Sequence, residues 1–576
     1  MKKFVTFTIL MCVFVLSNMT FAQITESGDT LIIGPQNHDG SPVGALNYYI
    51  NSDTLTDGSR AHSVYKILRG ETYILTNTIF ANFPLVLVAD APDDENMPPV
   101  IRAGLRDDGT VVAPLMDIGD DWTMKNVYMS GIVPTGDASI SWFVVQVTKP
   151  YASIDLNGCV FENVNAGWCF IHNYFGGTNA TFKIQNCTVR NSLNSGGTWA
   201  GTFLGLGVTD SLIFRNNTFF NVQGPVYTCT EVEGTAYIEF EHNTIANSVV
   251  HQFVSNKPVE CYMNNNIFYN CYSLSGGPTE ISKHPDKEIH GIIHFFLFDP
   301  EVLDTTWSSY YDPNGDGTLE ESERKFELKN NAWFYSQDIE DYWANNDTVA
   351  AQSWYCNAVQ EYFVNNETEK EVTIVGGASD GSDTTWTYAP HPLMVEENTT
   401  NADPEFANTG GSEALLKQNL ESIREAGPGV LWHYETDGSL IQFEWPLPED
   451  LSYTNASMLT GGTDGKPLGD LNWFKGTVGV EQKDEIIPNK YRLSQNYPNP
   501  FNPSTVIEFA IPVKNDVTLD VFNTLGQKVA TLVNKELNAG SYKYDFDASQ
   551  LSSGVYFYTI KAGSSFVQSK KMLLLK

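Results

Sequence analysis

Five short segments of the chain share one pattern: LNGCVFEN (156–163), IQNCTVRN (184–191), FRNNTFFN (214–221), FEHNTIAN (240–247) and MNNNIFYN (263–270). Their closing asparagines, Asn163, Asn191, Asn221, Asn247 and Asn270, follow one another at 28, 30, 26 and 23 residues. A period in that range with variable loop length indicates a solenoid. Stacked, the segments form columns. Phe161, Val189, Phe219, Ile245 and Phe268 make one apolar column, and Leu156, Ile184, Phe214, Phe240 and Met263 make a second. Ile154, Phe182, Leu212, Ile238 and Cys261 make a third, two residues earlier, and apolar residues at a step of two signal a strand. The step from the second column to the first is odd, so the chain must turn between them. That turn holds Cys159, Cys187, Asn217, Asn243 and Asn266, and asparagine suits a repeated tight bend because it tolerates left-handed backbone. Each repeat therefore reads as a strand–turn–strand rung stacked in parallel. Strand alternation places Phe219 inside the stack and Phe220 outside, so Phe220→Asp is expected to cost little.

These rungs resemble the right-handed parallel β-helix of the pectate-lyase-like superfamily, with its interior asparagine ladder. Segments 64–75, 83–90 and 122–131 read as earlier rungs, and LKNNAWFYS (328–336) as a later one. The gap before that later rung implies an insertion at about 271–327. Ser412–Glu425 reads as a helix, with Leu416, Leu420 and Ile423 on one face and Gly427-Pro428 as its stop. Leu459–Trp473 resembles the closing segment of exported bacterial β-helix proteins.

Residues 1–22 read as a secretory signal peptide, with Lys2 and Lys3, the apolar run Phe4–Leu16, and the small residues Thr20 and Ala22. Export follows, and no segment reads as a transmembrane span. Of eight cysteines, Cys12 lies in the leader, which leaves an odd number. Cys159 and Cys187 share a column on adjacent rungs, close enough for a bridge but with side chains pointing the same way; they form either a disulfide or two stacked small apolar residues. The formal charge of −35, from 34 basic and 69 acidic residues, argues against nucleic acid as a partner.

The C-terminal 491–576 is a different object. Short alternating runs (TVIEFAI, VTLDVFN, YKYDFDA, VYFYTIK, FVQSKKMLLL) separated by Gly-rich turns read as a small antiparallel β-sandwich. The run Asn496-Tyr497-Pro498-Asn499-Pro500-Phe501-Asn502, then Val521-Phe522-Asn523 with Leu525-Gly526, then Leu551–Tyr556 and the basic–apolar end Lys570–Lys576 resemble the type A sorting domain of the type IX secretion system. The resemblance implies that residues 491–576 are an address read by that machinery. The expected organisation is a signal peptide (1–22), a β-helix with inserted loop and cap (23–478), a linker (479–490) and the sorting domain.

Within the insertion, Asp312-Pro-Asn314-Gly-Asp316-Gly317-Thr318-Leu-Glu320-Glu-Ser-Glu323 places oxygen donors at positions 1, 3, 5, 9 and 12 and glycine at 6. That spacing matches a twelve-residue Ca2+ loop, with Asp312, Asn314, Asp316 and bidentate Glu323 joined by the Thr318 carbonyl and Glu320. A catalytic site is not legible. Arg190 shares an outward column with Glu162, and Arg215 one with Glu241, as cross-strand ion pairs would. Thr279–Lys283 faintly resembles a motif of alginate and chondroitin lyases in which the lysine, here Lys283, is the base. Trp142, Trp168, Trp199 and Tyr227 lie near successive turns, either stacking on sugar rings or covering the solenoid edge. His172, His242 and His251 have no metal-ligand spacing. The superfamily implies a polysaccharide lyase; the missing constellation implies a non-catalytic carbohydrate-binding or adhesive scaffold. Both imply polysaccharide as partner.

Overall fold

The computed structural model describes residues 24–91, 96–131, 143–162, 169–174, 176–192, 202–229, 235–249, 253–255, 258–271, 324–346, 369–374, 384–389, 394–426, 445–474, 491–493, 496, 501, 503–511, 514–524, 526–537, 540–549, 551–563 and 566–574. The leader, the linker, Asn163 and most of the insertion lie outside them. Two compact units divide at Lys475/Gly476.

The first unit is a parallel β-helix with three sheets. Sheet 1 has twelve strands, sheet 2 ten and sheet 3 seven. A coil visits them in turn: Ala180–Gln185 in sheet 1, Thr188–Ser192 in sheet 2, Thr202–Leu206 in sheet 3, then Thr209–Arg215 back in sheet 1. The rung thus has a third strand that the repeat pattern does not mark. Between neighbouring coils the strands pair in parallel, and the columns read from the sequence are in register: Phe161 with Val189, Val189 with Phe219, Phe219 with Ile245, Ile245 with Phe268. All five are fully buried, and Phe214, Phe219 and Phe240 pack ring against ring. Two features are irregular at the start of the stack. The strand Ile24–Ser27 is antiparallel to Thr30–Ile33, and the helix α1 (Ala45–Ser52) plugs the end with Leu46 and Ile50.

From the strand Trp122–Lys125 onward the bend between sheets 1 and 2 is a two-residue turn on each coil, and its residues divide the labour. The first, Asn186, Asn216, His242, Asn265 or Asn330, takes left-handed backbone at φ 53°, 52°, 52°, 63° and 52°. The left-handed position thus lies one residue before the column that the sequence reading assigned to it. The second residue points inward and forms the ladder. Asn217 N–H donates to Asn243 Oδ1 (3.0 Å), Asn243 N–H to Asn266 Oδ1 (2.8 Å), and Asn266 N–H to Asn331 Oδ1 (3.0 Å). These bonds satisfy backbone donors that the turn would otherwise leave unpaired in the core. The closing asparagines form a second ladder of opposite polarity, in which Asn247 Nδ2 donates to Asn221 Oδ1 (3.4 Å) and Asn270 Nδ2 to Asn247 Oδ1 (3.0 Å). Cys159 and Cys187 carry free thiols, each against a backbone carbonyl, so the stacked apolar alternative holds.

At the other end, helices α2 (Gln337–Asn346) and α3 (Ser412–Ala426) close the core with Ile339, Trp343, Leu416 and Leu420. The Ile423 side chain lies outside the described residues. Closure is needed because a terminal coil has no neighbour to cover its apolar interior.

The second unit is an antiparallel sandwich. Arg492–Leu493, Ser504–Ile511 and Gly540–Asp547 form one sheet; Lys528–Leu537, Asn515–Asn523, Gly554–Ala562 and Phe566–Leu574 form the other, with a shared core including Ile507, Leu519 and Tyr558.

Candidate functional site

From Lys125 onward the sheet 1–sheet 2 bend is constant, so those coils vary in length elsewhere. The connection from sheet 2 to sheet 3 varies widely, from Leu75–Ile79 to Ser130–Phe143. Loops on one side of a solenoid are where binding surfaces usually sit. The outer faces of the three sheets differ in what covers them.

Sheet 2 is covered by the chain that returns after the last coil. Arg190, expected outside, is buried between two carboxylates: it contacts Glu162 on the preceding coil and forks onto Glu449, with Nε at 3.0 Å from Oε1 and Nη2 at 2.9 Å from Oε2. Phe220 next to it is 3% exposed, so Phe220→Asp is not the mild substitution that alternation alone implies. Asn247 Nδ2 donates to Ser412 Oγ, and Tyr269 Oη to Glu413 Oε1 (3.1 Å). The closing segment 459–474 then runs back across the bends. Thr463 N–H donates to Asn265 Oδ1 (2.8 Å), Asp470 N–H to Thr244 Oγ1 (2.9 Å), and Trp473 Nε1–H to Thr218 Oγ1 (2.8 Å).

One ion pair and one buried carboxyl fasten that segment. His242 Nε2 lies 3.3 Å from Asp464 Oδ2. Burial opposes the Asp464 charge, but hydrogen bonds from His242 and Lys466 hold its carboxyl well below the usual range. Asp470 is 3% exposed, and burial pushes its carboxyl up to about 7 although Asn472 and Thr218 donate to it. Unfolded, the group titrates near 3.8, so between about 4 and 7 the folded state holds a proton that the unfolded chain has lost. This contribution to stability is present below about pH 4 and is lost as pH rises through about 7. Wild type should therefore gain thermal midpoint relative to Asp470→Asn as pH falls from about 8 to about 5. A difference that stays constant with pH would contradict the assignment.

The outer face of sheet 1 carries a polar network. Arg215 pairs first with Glu239 and reaches Glu241 Oε2 only at 3.8 Å, whereas the sequence paired it with Glu241. Burial and the Glu239 charge raise the Glu241 carboxyl. On the next coils Tyr237 and Tyr262 lie 5.6 Å apart, with Lys325 Nζ 4.8 Å from the Tyr262 ring centre. The carboxylates and cations named here are mutually engaged.

Sheet 3 faces the variable loops. Its outward column runs Phe80, Asp117, Gln146, His172, Gly205, Thr228. Phe80 is 52% exposed at the start of this column, and Tyr151, at the turn that leaves the sheet, is 71% exposed with φ 60°. His172 is buried, and burial lowers its imidazole to about 4. Its Nδ1 accepts the Tyr174 N–H (3.2 Å) and its ring lies 4.0 Å from Phe143, so it is a neutral, fixed group at pH 7 and a poor proton acceptor. Tyr227 points inward and is buried, so it is not a sugar platform. Trp142, Trp168, Trp199, His251, Lys283 and the Ca2+ loop donors Asp312, Asn314, Asp316, Thr318, Glu320 and Glu323 lie outside the described residues. Among the described residues no group of three or more His, Cys, Asp or Glu could hold a metal ion.

Among the described motif residues of the C-terminal sandwich, Asn496, Phe501 and Val521 lie inside. Phe501 is buried, and Asn496 is held by its N–H to Tyr558 Oη (2.7 Å) and its Nδ2 to Thr505 Oγ1 (3.0 Å). Residues 495–575 match the family described as secretion system C-terminal sorting domain. This module is a type IX sorting domain. The chain that carries the sorting domain is accordingly a secreted or cell-surface protein, and the domain implies contact with the secretion machinery. Among the described residues no helix is long and apolar enough to cross a membrane. No curated relative matches the chain.

Proposed function

We propose that the protein binds polysaccharide at the cell surface, with the β-helix as the binding unit and the sorting domain as its delivery address. The observation that carries this reading is the outer face of sheet 3, which is entered by connections of variable length, bears the exposed ring of Phe80 and has the exposed ring of Tyr151 on the turn at its far edge. Aromatic faces stack on sugar rings, and parallel coils repeat every ~4.8 Å, a spacing that suits a chain-like ligand. Binding rather than cleavage is the form supported. Arg190 is sealed between Glu162 and Glu449, Arg215 is engaged with Glu239, and His172 is neutral and buried. The test is depletion of purified residues 24–475 from solution by a panel of insoluble plant and algal polysaccharides, with product release followed alongside. Saturable binding without new reducing ends or unsaturated products is expected. Release of unsaturated oligosaccharides would move the assignment to a lyase, and absence of binding across the panel would remove polysaccharide as the ligand.

The inserted loop adds a Ca2+ site to this reading. Asp312, Asn314, Asp316, the Thr318 carbonyl, Glu320 and Glu323 supply the oxygen-rich shell that a hard cation requires. Asp312→Ala with Asp316→Ala should abolish calcium binding measured by calorimetry and leave the solenoid folded. Unchanged affinity in the double variant would rule the loop out.

A further inference from the structure

We infer that the outer face of the four-stranded sheet in the sorting domain is a docking surface for an anionic, partly apolar protein surface of the export machinery. This rests on residues 491–576 being the export address. Strand register fixes the face. Leu519, Val521, Tyr558 and Ile560 are fully buried, so their neighbours in sequence point away from the core. Across the four strands one row reads Lys528, Phe522, Phe557, Lys571. A parallel row ends in Lys561 and Val567.

Three properties of this face favour a partner. Phe557 is 39% exposed and Val567 60%, so two large apolar side chains stand in water on a sheet whose other side already has a complete core. Lysines flank them, with Lys561 and Lys571 both exposed. Charge complementarity then sets the partner's sign. Residues 491–576 hold nine Lys or Arg against six Asp or Glu, a formal +3, within a chain of net −35. An acidic partner is attracted to this module and repelled by the rest of the chain, which selects the address over the cargo.

The experiment uses the full chain expressed in its own host, with protease shaving of intact cells to measure the surface-exposed fraction. Lys561→Glu with Lys571→Glu should reduce that fraction about tenfold, a loss of the size that removed electrostatic steering produces, and the protein should accumulate in the periplasm. Lys535→Glu reverses a charge in the same sheet at a position in register with the buried Val517, hence off this face, and should leave display intact. Phe557→Ser, which removes the apolar part of the face without touching charge, should also lower display. Thermal midpoints of the purified variants should match wild type. Normal display of both the Lys561/Lys571 and Phe557 variants would overturn the inference, as would an equal loss in the Lys535 control. Deletion of residues 491–576 separates the two levels of the argument. If the deletion blocks display and the face variants do not, the docking surface alone is wrong. If the deletion itself leaves display intact, the address is wrong.

Discussion

Removal of Tyr491–Lys576 is expected to trap the protein in the periplasm, with surface display falling to background. The module is a separate compact unit with its own core, so its removal leaves the contacts of the β-helix in place. The cargo should therefore remain folded and soluble while losing its route outward. Fractionation with protease shaving reads the outcome directly. Wild-type levels of surface protein from the truncated chain would contradict the role of the module, and an insoluble truncated chain would show that the two units do not fold independently.

Phe219→Asp should be the most damaging single substitution in the solenoid. Phe219 is fully buried between Val189 and Ile245 and contacts the Phe203, Phe214 and Phe240 rings. Losing that packing costs about 3–5 kcal/mol. The introduced carboxylate has no cation beside it in the core and adds to that cost. Because each coil rests on its neighbours, the coils on either side should lose hydrogen-exchange protection together. Gln185→Asp supplies the contrast: Gln185 points outward from sheet 1 and pairs in register with Arg215, so the change should stay within about 1 kcal/mol. Equal thermal shifts for the two substitutions would contradict the assigned register.

Much of this fold is legible in the sequence because a parallel solenoid repeats its inside. The Phe161–Phe268 column and the asparagines of the bend recur at a fixed offset, and the structure pairs those residues in that register. The strands of sheet 3 are not legible, since they follow connections of varying length and carry no recurrent mark. The cover on sheet 2 is not legible either. Arg190 and Thr218 look like solvent-facing residues, and only chain from far downstream, Glu449 to Trp473, turns them into buried hydrogen-bonding groups. Helix α1 escapes a reading by start signals because Gly44 precedes it and no side chain caps it. The sorting domain is legible from its motif, because its buried Asn496 and Phe501 are also the residues that define its entry into the sandwich. The candidate binding face is not legible, because the exposure of Phe80 and Tyr151 depends on how the coils stack; the spacing of Asp312 to Glu323 is legible, and the cation loop drawn from it is a proposal.

The most direct measurement is retention of fluorescent polysaccharide by intact cells. Cells that make the full chain should bind members of a plant and algal panel saturably, cells that make residues 1–490 should not, and purified residues 24–475 should compete for the bound glycan. Equal labelling of both cell types, or full-chain cells that retain none of the panel, would contradict a surface β-helix that holds polysaccharide.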